Sequence, residues 1–156
     1  MIQRIQSVFL LLLALSMLSM LALPLWHKAD PLAHQELTMS AFGYTAAGLP
    51  APGGPVWLIA ALAVVSAGVA VYEIFQFRKR LLQLQLGLVN LLLIVATFGL
   101  AFYFAGRGEV NLNPKLEGQF QPGFYLPTIA LVLNLLANRF IRRDEQLVRR
   151  SYDRLR

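Results

Sequence analysis

The sequence predicts an all-α membrane protein, a four-helix transmembrane bundle with small extracytoplasmic loops and a C-terminal amphipathic helix. Three observations carry that reading. Of 156 residues, 57% are hydrophobic and only 14% are charged, whereas soluble domains carry about a quarter charged residues. The apolar residues gather in four blocks, each near the roughly 20 residues that cross about 30 Å of hydrocarbon as a helix. Most of the fourteen Lys and Arg residues fall at one set of block ends. Such blocks must be helical, because an unpaired backbone amide costs several kcal/mol in lipid and a helix pairs every one internally. The chain reads as a single four-span domain over 1–156.

The first span is expected over 8–25, entered through Gln3, Arg4 and Gln6 and closed by Trp26. A basic start before an apolar run also describes a signal peptide. The stretch from Ser19 to Pro24 offers no clear small-x-small cleavage site, so the helix is read as retained. His27 to Pro55 is the longest loop, and its prolines with Gly53 and Gly54 rule out a long helix. Asp30 before Pro31 reads as the N-cap of a helical turn through Gln35. From Glu36 to Tyr44 the residues alternate like a strand. The second span, 56–75, ends at Arg78-Lys79-Arg80, and the third, 84–105, follows so closely that the two form a tight antiparallel hairpin. In the loop from Gly106 to Gly123, Val110–Asn113 and Gly118–Pro122 alternate like short strands. Glu36–Tyr44 and Val110–Asn113 are expected to pair as a small antiparallel cap. The fourth span is 124–141, with Pro127 tolerated in its first turn.

Charge sets the expected orientation. With the N-terminus inside, eleven Lys and Arg residues lie in the cytoplasm and only Lys28, Arg107 and Lys115 outside. Trp26, Trp57, Phe102, Tyr103, Phe104, Phe124 and Tyr125 would then anchor the outer interface. The net charge of +6 and the pI near 10.2 record this topology and contact with anionic headgroups. They do not indicate nucleic acid, since no stacking platform interleaves with the basic residues. The tail, 142–156, continues a pattern begun at Phe140. Ile141, Val148 and Leu155 recur every seven residues among arginines, as in an amphipathic helix lying on the inner leaflet or against a partner. No cysteine is present, which removes thiol chemistry, thiolate metal sites and disulfides.

Each span carries a stripe of small or polar residues at helical spacing: Leu12, Ser16, Ser19 and Ala22; Ala60, Ala63, Ala67 and Ala70; Gln83, Gly87, Asn90, Ile94, Thr97 and Ala101; Pro127, Leu131, Asn134 and Asn138. Such stripes pack membrane helices together, and Asn90 is expected to meet Asn134 between the third and fourth spans. Glu73 is the one acid inside a span, which by default raises an ion or proton site. Its place near the span end favours an interfacial ion pair with Arg78. His27, Asp30 and His34 have metal-like spacings, but Pro31 interrupts a helix through all three, so they read as loop residues. Neither a phosphate loop nor a nucleophile elbow is present.

The opening Met1-Ile2-Gln3-Arg4-Ile5-Gln6-Ser7-Val8-Phe9-Leu10-Leu11-Leu12 and the ending from Asn138 through Arg142-Arg143-Asp144-Glu145 to Arg156 resemble the Bacteroidota membrane-protein family known as domain of unknown function 4293. That resemblance spans the chain and implies a bacterial inner membrane; it brings no activity. The plan of four spans, inside termini and a long first outer loop is also similar to claudin-like proteins. The cysteines of that family are absent here, so only the topology is an analogy.

These features favour a non-enzymatic subunit or assembly partner of a membrane complex. The competing reading is a small ion-coupled transporter or channel using Glu73 and the span amides. A lipid- or quinone-site enzyme component comes third. Catalytic, cofactor-binding and metal-binding residues are assigned to none of the positions. The expected partners are anionic lipid headgroups and another membrane protein.

Overall fold

A computed structural model describes residues 2–77 and 79–153, with side chains for all of these except 2–4 and 148–153. Four helices are long and apolar enough to cross a membrane: α1 (Ile2–Ala22), α2 (Trp57–Phe75), α3 (Arg80–Asn111) and α4 (Pro122–Asp153). They pack in a ring, α1 on α2, α2 on α3, α3 on α4 and α4 back on α1. Chain direction alternates around the ring, so the start of α1 lies beside the later turns of α4, and Phe9 stacks on Phe140 with centroids 5.6 Å apart. No more than 39% of any apolar window is buried inside the molecule. The outward remainder, such as Val8, Leu11, Leu15, Leu88 and Leu92, forms a belt far beyond the apolar patches of soluble monomers.

The inward faces follow the stripes on three helices. Ala60, Ala63, Ala67 and Ala70 of α2 are buried, and so are all six stripe residues of α3. Pro127 and Asn134 of α4 are buried, with Leu131 and Asn138 half-buried. On α1 the stripe holds only at Ser16. Leu12, Ser19 and Ala22 face outward, and the inward face is Gln6, Leu10, Leu13, Ala14, Ser16, Met17 and Met20. The alanine face of α2 leaves room, and the long side chains of α1 fill it.

The opposite end is capped by a four-stranded antiparallel sheet: β1 (Trp26–Asp30), β2 (Gln35–Met39), β3 (Tyr44–Ala47) and β4 (Gln119–Phe120), in the order β3-β2-β1-β4. Trp26 opposes Met39 and Phe120, and Met39 opposes Tyr44. The expected strand over Glu36–Tyr44 is thus two strands and a turn, and its partner is β1 rather than Val110–Asn113. Asp30 does cap, accepting from the backbone N–H groups of Leu32 and Ala33 at 3.0 and 3.3 Å. What it caps is a hairpin turn, not a helical one. His34 closes the turn at φ 53°, a left-handed conformation that suits it better than a β-branched residue.

Trp26 does not end a span as an interfacial anchor. It is 1% exposed, and its indole lies so close to Gly108 and Gly118 that a Cβ on either would overlap it. Phe104 and Phe124 are likewise core, while Trp57, Phe102, Tyr103 and Tyr125 face outward as expected. Lys28, read as a loop charge, is buried. Its Nζ donates to the Glu109 carbonyl at 2.9 Å and to Glu109 Oε1 at 2.8 Å. Glu109 in turn accepts from the Gly118 N–H at 3.1 Å. These contacts hold the end of α3 against the sheet, which explains why α3 continues as helix through Val110 and Asn111 despite Gly106 and Gly108. Packing overrides their low propensity. Tyr44, whose hydroxyl donates to the Phe104 carbonyl, has its pKa pushed up to about 12 by burial.

α4 departs from expectation at both ends. It begins at Pro122, so Pro127 lies beyond the first turn. It also runs unbroken into the tail, with no separate amphipathic helix among the described residues. After Pro127 the chain has no Gly or Pro to stop it. Arg80 pairs with Asp144 at 3.0 Å, which ties the tail to the start of α3. Ile141 is buried; the side chain of Val148 and all of Leu155 lie outside the described residues, so the heptad is seen at one position.

Candidate functional site: a buried carboxylate among amides

The face of α2 that carries the alanines also carries Ser66 and Glu73, seven residues and about two turns apart. Facing it on α3 are Gln83, Gly87, Asn90 and Thr97. Asn134 and Asn138 arrive from α4, and Gln6 from α1. Glu73, Gln83, Gln6 and Asn138 all belong to the half of the ring farther from the sheet, because each lies near the helix end that points away from it.

Part of this polar set is satisfied. Gln83 Nε2 donates at 3.0 Å to the Glu73 backbone carbonyl, which also accepts from the Gln76 N–H that caps α2 at 3.1 Å. Ser66 Oγ donates to Asn90 Oδ1 at 2.5 Å. Asn134 Nδ2 donates to the Gly87 carbonyl at 2.9 Å, and Asn138 Nδ2 donates to Asn134 Oδ1 at 3.5 Å. Gly87 is needed for this: a Cβ there would stand 2.1 Å from Asn138 Oδ1.

The rest is not. Both carboxylate oxygens of Glu73, Gln6 Nε2, Asn90 Nδ2 and Asn138 Oδ1 are buried with no hydrogen-bond partner among the described residues. Glu73 itself is 0% exposed. The alanine face carries Glu73 inward; Arg78, its expected partner, lies outside the described residues. Asn90 and Asn134 are both buried, as expected, but they do not pair. Asn90 turns to Ser66 on α2, and Asn134 turns to the backbone of α3 that Gly87 leaves open. Ser66 and Gln6 join the site without having been expected there, although Ser66 sits at the centre of an alanine face with the same helical spacing.

His27, Asp30 and His34 are not brought together around one point. On β1, His27 and Asp30 project to opposite faces. His27 Nδ1 lies 2.9 Å from Thr38 Oγ1, and Asp30 accepts from Asn113 Nδ2 at 3.2 Å.

A family described as "Domain of unknown function (DUF4293)" matches residues 2–155. The chain belongs to that family. Among curated proteins none matches it. The family match covers all four helices, the sheet and the residues around Glu73, so the carboxylate belongs to the family domain and not to an appended segment.

Proposed function

We propose that the protein is a small ion-coupled membrane carrier that binds a cation, in the simplest case a proton, at Glu73. It sits in a bacterial inner membrane with both termini cytoplasmic and the sheet outside. The observation that carries this reading is the Glu73 carboxylate, fully buried with neither oxygen hydrogen-bonded among the described residues. A bare carboxylate in a low-dielectric interior costs several kcal/mol, so its charge there is neutralised by a bound cation or proton. The polar groups also have a direction. From Glu73 and Gln83 they step about 10 Å to Ser66 and Asn90. A further 10 Å or so along α3 comes Thr97, and toward the sheet the core becomes apolar at Ala101 and Phe104. A polar approach from the termini that closes before the sheet suits a site loaded from one side and opened to the other by helix movement.

The test is flux. Purified protein in liposomes holding a pH-sensitive dye, driven by a potassium diffusion potential, should carry protons. Glu73→Gln should lower the rate at least tenfold, while Glu117→Gln, at an exposed acid on the sheet side, should leave it unchanged. A wild-type protein without flux of protons or sodium, or a Glu73→Gln protein with full flux, would overturn the proposal.

A second reading, a non-enzymatic subunit or assembly partner, is favoured by a separate observation. Leu32 in the β1–β2 turn is 95% exposed and Val110 is 84% exposed, apolar side chains at the sheet end that a partner would cover. Gentle-detergent capture from native membranes should then recover a defined complex that Leu32→Asp disrupts.

A further inference from the structure

Between α3 and α4, at the end away from the sheet, runs an open groove of about 580 Å³. Its apolar wall is Leu91 with the outward-facing Leu88 and Leu135, and its rim is Arg139, Arg142 and Arg143. The polarity along the groove is built in by chain direction. α3 runs away from the chain termini, so Leu88 and Leu91 lie progressively deeper, about 12 and 16 Å from its start at Arg80. α4 runs the other way, so Leu135 is deep and the arginines follow it outward. Positions 139, 142 and 143 are spaced three and four apart, which stacks the guanidinium groups on one helix face. Among the described residues no acidic side chain lines the groove; Asp144, on the next position, is turned to Arg80.

We infer that this groove is a binding site for one anionic glycerophospholipid, its phosphate held by Arg139, Arg142 and Arg143 and an acyl chain laid along Leu88, Leu91 and Leu135. Charge complementarity selects the occupant. Guanidinium groups bind phosphate oxygens in bidentate fashion, and basic pockets between membrane helices on the cytoplasmic side are where such headgroups lodge. The apolar wall argues for a lipid over free phosphate, because a small anion would leave it uncovered. The inference is independent of the Glu73 proposal. It also gives the arginine-rich tail a structural role. By staying helical past the last core turn, α4 holds three cations over one groove instead of spreading them on the leaflet.

Native mass spectrometry of the detergent-purified full chain tests it, with phosphatidylglycerol and phosphatidylcholine titrated separately. Phosphatidylglycerol should remain bound at least tenfold better than phosphatidylcholine. Arg139→Gln/Arg142→Gln/Arg143→Gln should abolish that preference, while Arg149→Gln/Arg150→Gln/Arg154→Gln, which removes the same charge farther along the tail, should keep most of it. Leu88→Trp, which fills the groove without touching charge, should weaken binding in a protein that still elutes as wild type. Equal loss in both arginine variants would mean bulk attraction and overturn the site. So would displacement of the lipid by millimolar inorganic phosphate, or a dimer that the triple variant alone dissolves, since the occupant would then be a free anion or a second copy.

Discussion

At Gly87 the missing side chain lets Asn138 lie against the α3 backbone and Asn134 reach the Gly87 carbonyl. Gly87→Ala should therefore destabilise the protein by about 1–3 kcal/mol, the usual effect of forcing atoms into a packed contact. Gly99→Ala, where nothing lies within 4 Å, should be neutral or gain up to about 1 kcal/mol from helix propensity. Unfolding midpoints in mixed micelles distinguish the two. Ser66 and Asn90 should show a coupling of about 0.6 kcal/mol, at most roughly 1.7, in a double-mutant cycle; a parallel cycle on Asn90 and Asn134 should be additive. Asp30 gives a pH signature. The Asn113 side-chain hydrogen bond holds its carboxyl below the ordinary 3.8, with burial opposing and the Ala33 and Leu32 amides assisting. A carboxyl lowered by folding adds stability above pH 3.8 and loses it as pH falls through the folded value. Asn113→Ala should thus cost stability at neutral pH and flatten the acid limb of the stability curve.

The helices and the sheet were legible to different degrees. Span 56–75 matches α2 almost to the residue because an apolar run of that length has one stable form in lipid. The stripes of α2 and α3 were readable because small and polar residues at helical spacing must face protein. On α1 the rule failed, since the helix beside an alanine face buries its large residues. The sheet was half legible. Period-two alternation located β2, but β1 reads Trp-His-Lys-Ala-Asp, and nothing in that string says that the lysine points inward. Only the third dimension brings Glu109 to it. Because Lys28 is buried, Lys28→Met should cost stability at the lower end of the roughly 3–5 kcal/mol for breaking a buried pair, as Glu109 keeps 39% of its side chain exposed. Lys28→Met with Glu109→Gln should recover part of the loss. Thermal unfolding of the two variants side by side checks both statements.

For the molecule as a whole, chain ends on one side and a sheet on the other fit the lysine and arginine count. Reporters that mature only in the cytoplasm should report from both termini, and alkaline phosphatase should be active when inserted in the β1–β2 turn at Leu32; activity near the C-terminus would reverse the orientation. The candidate site was visible in sequence as Glu73 and the amides of the third and fourth spans, but not the burial that brings them together. Proximity to Arg78 along the chain suggests a pair, and Arg78 lies outside the described residues; packing shows that the carboxylate turns inward and finds no hydrogen-bond partner among the described residues. The measurement closest to that claim is the site of modification by a lipid-soluble carbodiimide on the protein in liposomes, read by peptide mass spectrometry. Of the eight Asp and Glu residues, Glu73 alone should carry the label, and a water-soluble reagent of the same chemistry should spare it. A Glu73 left unmodified by the lipid-soluble reagent, or labelled equally by both, would contradict a carboxyl group buried in the helix interior and reached through lipid.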